Sequence, residues 1–195
     1  IACESNPIDA VWIDRPAAPS GKAVPHAMNL AGEDSAAKRA RVAAALRKNH
    51  VDAAVVTLCD SVCWLFNIRG DDLPHTPFVL ALAILHADGS ADLFLDENKR
   101  SPELIAHLGD GVRLALMADF TAALDGLNGK TVLVDPATAA SAISDRLSKA
   151  GAKVKNGPDP CQLPKACKNP LEIEGTRKAH IRDGAALSRF LGWFA

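Results

Sequence analysis

The residues best placed to do chemistry crowd into one stretch, Trp64 to Pro77, reading WLFNIRGDDLPHTP, where Arg69, Asp71, Asp72 and His75 lie beside Gly70 and two prolines. Trp64, Leu65, Phe66 and Ile68 are apolar enough to seat the segment in a core, so the polar groups collect at the tip of an anchored, stiff loop. A guanidinium held beside a tight glycine turn is a planar, bidentate anion binder in fixed geometry. The spacing leaves two readings open: Arg69 faces an anionic ligand, or it pairs internally with Asp71 or Asp72.

Elsewhere the chemistry thins out. There is no G-x-S-x-G elbow, no H-E-x-x-H, no G-x-x-x-x-G-K-[ST] and no G-x-G-x-x-G after a strand. The histidines at 26, 50, 75, 86, 107 and 180 are scattered. His180 and Asp183 share a helix face but have no third ligand, the pattern of a solvated or capping pair. Asp135 follows a strand end and precedes Pro136, where a functional carboxylate or a turn-forming Asp-Pro is expected; Asp96 has the same two readings. The five cysteines, Cys3, Cys59, Cys63, Cys161 and Cys167, are odd in number and lack C-x-x-C spacing, so they read as reduced thiols of a cytoplasmic protein.

Composition narrows the class. At 195 residues and 48% hydrophobic content the chain can bury a real core. Lys and Arg total 22 against 23 Asp and Glu, and a net charge of −1 offers no general field for nucleic acid or an anionic membrane. No apolar run approaches the ~20 residues of a membrane span, and no charged amino end precedes an apolar block.

The elements that must position the loop follow from periodicity. Prolines at 7, 16, 19 and 25 predict an irregular arm over 1–25, anchored by Val11-Trp12-Ile13, with a local Asp14–Arg15 contact. Ser35 caps a helix ending near Asn49, with Val42, Leu46 and alanines on its apolar stripe and Lys38, Arg39, Arg41, Arg47 and Lys48 on the other faces. Ala53 to Leu58 reads as a strand buried on both faces, then a short helix through Phe66 delivers the loop. Phe78 to His86 and Ala91 to Leu95 form a hairpin about Asp88-Gly89. A helix follows from Pro102 to Leu108, then a strand over 112–116, a helix over 119–127, a strand over 131–134, a helix over 138–150 and a weak strand over 152–155. The fold class is α/β: a mixed sheet of about five or six strands with helices on both faces, a three-layer sandwich. Residues 156–170 read as a proline-rich linker. Residues 171–195 read as a helix whose end, Leu191, Trp193 and Phe194, is apolar and uncapped, as in a piece cut from something it packs on.

Several ordered stretches together resemble one family. They are Asp9-Ala10-Val11-Trp12-Ile13-Asp14-Arg15-Pro16, the WLFNIRGDDLPHTP motif, Leu93-Phe94-Leu95-Asp96, Val134-Asp135-Pro136, Leu163-Pro164-Lys165-Ala166-Cys167-Lys168-Asn169 and Ala179-His180-Ile181-Arg182-Asp183-Gly184-Ala185-Ala186. The chain is similar throughout to the three-domain Xaa-Pro aminopeptidases of the pita-bread metallopeptidase group, which also holds prolidase and creatinase. The resemblance implies a creatinase-like middle domain over 26–155, a connecting arm from a first domain over 1–25, the linker over 156–170, and the first helix of a catalytic domain over 171–195. It implies further that two divalent ions, manganese or zinc, are held in the complete enzyme by two aspartates, a histidine and two glutamates beyond this chain, where metal-bridged hydroxide attacks the peptide bond before proline. This chain would then hold no catalytic residue and no metal, and would be inactive alone. Its expected partners are the missing domains, a peptide with proline second, and a second copy in a homodimer, with no nucleic acid and no membrane. By the same resemblance Arg69, Asp72 and His75 are the substrate-binding candidates, with Trp64 supporting Arg69. The alternative is a stand-alone binding or interaction module that keeps the creatinase-like fold without catalysis.

Overall fold

The computed structural model describes residues 7–195; Cys3 and residues 1–6 of the expected arm lie outside it. A six-stranded sheet forms the middle layer. Its strands are β2 (Ala53–Val56), β4 (Leu82–His86), β5 (Ala91–Leu95), β6 (Val112–Leu116), β7 (Thr131–Val134) and β8 (Lys153–Asn156), in the order β6-β5-β4-β2-β7-β8. β2/β4 and β4/β5 are antiparallel and the other pairs parallel, as a hairpin inserted among crossover helices requires. A short ribbon, β1 (Val24–Pro25) against β3 (Ile68–Arg69), sits apart from it.

Alternation along the strands divides the core in two. Ala54, Val56, Ala83, Leu85, Leu93 and Leu95 face one layer, which holds α3 (Ser35–Lys48), α4 (Cys59–Phe66) and α5 (Pro102–Leu108). Ala53, Val55, Ile84, Phe94, Val132 and Val134 face the other, which holds α6 (Phe120–Asp125) and α7 (Ser141–Lys149). Phe94 meets Phe120 edge-on, with ring centroids 5.1 Å apart. The remaining helices are α1 (Pro7–Val11), α2 (Met28–Ala31), α8 (Gln162–Ala166) and α9 (Pro170–Phe194).

Five local expectations are corrected. Val11, Trp12 and Ile13 do not anchor the arm: they follow or end α1 exposed, Ile13 at 94%, and Arg15 closes the turn locally on Asp9 (2.9 Å) rather than on Asp14. Lys38 and Arg39 are buried rather than on solvent faces, because each finds acceptors remote in sequence: Lys38 at Trp64 and Asn67, Arg39 at the carbonyls of Gly89 and Gly111. The strand expected from Phe78 pairs in the sheet only from Leu82, since the backbone of 78–80 is spent on the preceding loop. Residues 156–170 hold α8 and are well tied down, with Asp159 N–H donating to Asp135 (2.9 Å) and Cys161 fully buried. The helix expected from Ser35 does begin there, but its cap is Asp34, which accepts from Ala37 N–H.

Candidate functional site

The end of α4 creates the site. Asn67, left-handed at φ 50° and ψ 52°, stops the helix, a conformation that asparagine tolerates better than most residues. Its side chain is locked from both ends: Oδ1 accepts from the Lys38 ammonium at 2.6 Å and Nδ2 donates to Glu33 O at 2.8 Å. The chain then runs as β3, held by β1 and by His26 N–H donating to Asn67 O (2.7 Å), and this register delivers Arg69 to a cleft of about 880 Å³. The cleft is walled by α4, β3 and residues 77–78 on one side and by α8 and the first turns of α9 on the other.

Arg69 donates from Nη1 to its own carbonyl neighbour Ile68 O (2.8 Å) and to Cys63 O (3.3 Å). Neither Asp71 nor Asp72 pairs with it, so the internal-pair reading fails. Among the described residues its Nε and Nη2 have no protein acceptor, which leaves the guanidinium oriented but unspent. Burial pulls its pKa below the usual arginine value, partly offset by Cys63 and Glu172. Around it, Lys165, Lys168 and Arg182 face the cleft with Asp60 and Glu172 as the opposing carboxylates. Lys165 pairs with Asp60 and the Lys168 ammonium donates to Lys165 O (2.6 Å), but four cations, Arg69, Lys165, Lys168 and Arg182, face two carboxylates, so the surplus charge is positive. Burial first, then Arg69 and Lys38, lower the His26 pKa and favour its neutral form. Such a surface suits a carboxylate or another oxyanion.

Trp64 backs this wall. The Lys38 ammonium lies 4.7 Å and the Arg41 guanidinium 5.6 Å from its ring centroid, contacts that fix the indole in place. Burial lowers the pKa of Lys38. Burial disfavours the thiolate at two neighbouring cysteines, pushing Cys63 up to about 11 and raising Cys161 well above the ordinary range.

The three residues grouped by sequence separate in space. Arg69 lines the cleft; Asp72 and His75 do not. Asp72 is buried in an ion pair with Lys99 and accepts from Leu80 N–H (2.6 Å), while its own N–H donates to Phe78 O (3.2 Å). His75 is exposed at the loop tip in a left-handed conformation, φ 60°. Gly70 is required by close approach rather than by a left-handed turn, since a Cβ there would lie 2.9 Å from that of Val79. Lys38 and Lys99 escaped sequence reasoning because their partners are tens of residues away and nothing local marks them, whereas Asn169, with Pro170 and Glu172, carries the local pattern of a helix start and only its contact with Ala31 is remote.

The described residues do not fit a dinuclear metal site. No group of three or more His, Cys, Asp or Glu side chains is placed to hold an ion among them. His180 and Asp183 stand exposed on α9, Asp96 precedes a short 3₁₀ turn, and Asp135 spends its oxygens on the N–H groups of Ala137 and Asp159. Cys59, Cys63, Cys161 and Cys167 are free thiols.

The model of the creatinase/prolidase N-terminal domain matches residues 14–172. A probable Xaa-Pro aminopeptidase P of Paracoccidioides brasiliensis is 37% identical over 209 residues, covering 99% of this chain and 33% of that protein. One from Talaromyces stipitatus is 32% identical, covering 99% and 31%. The X-prolyl aminopeptidase of Caenorhabditis elegans, described as a cytosolic enzyme with a di-nuclear active site, superposes with a TM-score of 0.89 at 28% identity over 100% of this chain and 32% of its own. The Xaa-Pro dipeptidase of Bacillus anthracis shares the fold, with a TM-score of 0.64 at 14% identity over 82% of this chain and 44% of its own. The chain thus spans about a third of the length of the curated relatives it matches.

Proposed function

This chain belongs to the creatinase/prolidase N-terminal domain family, and from that premise we propose that it is the non-catalytic middle domain of an Xaa-Pro aminopeptidase, a metallopeptidase that releases the residue ahead of proline. The observation that carries this reading is the match along the whole length, α9 included, to an X-prolyl aminopeptidase of solved structure. In this proposal 1–25 connects to a preceding domain, 26–155 is the creatinase-like domain, 156–170 links it onward, and 171–195 is the first helix of the catalytic domain. Two divalent ions, manganese or zinc, are bound by that catalytic domain. The complete enzyme works in the cytoplasm as a homodimer.

The chain's own residues then supply a wall. Arg69 contacts an anionic group of the peptide, held in direction by the carbonyls of Ile68 and Cys63. Asp72 acts at one remove, fixing the loop through Lys99 and Leu80, and His75 presents the loop tip. A protein whose reading frame carries residues 1–195 and continues into an ordered Asp, Asp, His, Glu, Glu set is expected to cleave Xaa-Pro peptides with manganese present. A frame that stops at Ala195, or continues without those ligands, leaves the binding-module reading instead.

A further inference from the structure

We infer that Asn169 is a positioning residue: its one amide group both starts α9 and pins that helix to the body, and so sets the spacing of the cleft walls. Within this chain none of the 25 residues of α9 is buried, and its attachment to the sheet domain is made by its first turn. Asn169 Oδ1 accepts from Glu172 N–H (3.0 Å) while Glu172 Oε2 accepts from Asn169 N–H (2.9 Å), a reciprocal cap. The same side chain's Nδ2 donates to Ala31 O (2.7 Å), the last residue of α2.

The receiving surface is shaped for it. Gly32, which ends α2 in the left-handed region at φ 71°, leaves room that a Cβ would fill 2.4 Å from Asn169 Oδ1. Aspartate or serine would cap α9 as well as asparagine does. The amide also brings a donor to Ala31, where the carboxylate of an aspartate would face the carbonyl oxygen instead. Because Leu171, Glu172, Thr176 and Arg182 of α9 face Trp64 and Arg69 across the cleft, rotation about Asn169 changes the distance between the walls.

This inference needs no metal and no substrate, so its failure is separable from failure of the peptidase reading. The chain is labelled with 5-fluorotryptophan, and Trp12→Phe and Trp193→Phe identify the Trp64 resonance by elimination. Asn169→Asp keeps the cap and loses the pin, Asn169→Ala loses both, and Gly32→Ala crowds the pin from the other side. The Trp64 resonance is expected to shift or broaden in all three, while the Trp12 resonance stays in place. Hydrogen exchange at the Glu172 amide is expected to remain at its original rate in Asn169→Asp and to run about fivefold faster in Asn169→Ala. An unmoved Trp64 resonance in folded Asn169→Asp and Gly32→Ala, or movement only in Asn169→Ala, would overturn the inference by leaving the cap alone responsible.

Discussion

Asp72→Ala is expected to lower the unfolding free energy by about 3–5 kcal/mol, the cost of stranding a buried charge. Asp72 and Lys99 have side chains exposed by 0% and 1%, and Lys99 has no other acceptor for its ammonium among the described residues. Truncation also removes the acceptor for Leu80 N–H. Against a total stability of about 5–15 kcal/mol, such a loss is a large shift in the urea midpoint. The double replacement Asp72→Leu with Lys99→Met strands no charge, so it should lie closer to the parent than Asp72→Ala does. A urea midpoint in Asp72→Ala that falls by the equivalent of less than about 1 kcal/mol would show that water or another group compensates Lys99. The pair fixes the loop behind Arg69, so its loss should also loosen the cleft wall.

On the proposed peptidase reading, Arg69→Ala in the longer protein is expected to lower kcat/KM for Xaa-Pro peptides about 10- to 100-fold, the value of one charge-assisted contact of about 1.5–3 kcal/mol. The cost to folding should be smaller, since Arg69 holds no ion pair among the described residues and only its two backbone contacts, at Ile68 and Cys63, are lost. Arg69→Lys should recover little of the turnover: an ammonium keeps the charge but cannot present Nε and Nη2 as a planar fork while Nη1 is tied to the backbone. If kinetics in Arg69→Ala match the parent, Arg69 leaves the site and the cationic surplus of the cleft has another purpose.

Much of this architecture was legible because local signals agree with it. Ser101-Pro102 begins α5 and Gly109 ends it; the Ser101 hydroxyl accepts from Leu104 N–H, as expected for a helix start with proline in its first turn. Asp88-Gly89 turns the hairpin, and 112–116 and 131–134 are strands over the ranges that their apolar content predicts. The loop carrying Arg69 was identifiable from its density of charged residues against an apolar anchor. What stayed hidden is long-range pairing. Lys38 looks like any solvent-facing lysine of an alanine-rich helix until its ammonium meets Trp64 O and Asn67 Oδ1. Asp72 looked like part of a binding tip because Lys99, its partner, lies beyond the whole hairpin. Residues 156–170 lost their periodicity to prolines, yet Asp135 and Asp159 order them through backbone N–H groups, a device that leaves no hydrophobic pattern. The apolar Val11-Trp12-Ile13 misled in the other direction, since hydrophobic character does not fix burial when no described neighbour covers it.

The proposed division of labour, in which metal is held outside this chain, is tested most directly by dialysing the purified 195-residue chain against manganese or zinc, measuring retained metal, and assaying the same sample on an Xaa-Pro peptide. No stoichiometric ion and no released amino acid are expected, with turnover recovered only in the longer protein. A tightly held pair of divalent ions on this chain alone, together with sustained release of the residue ahead of proline, would contradict it.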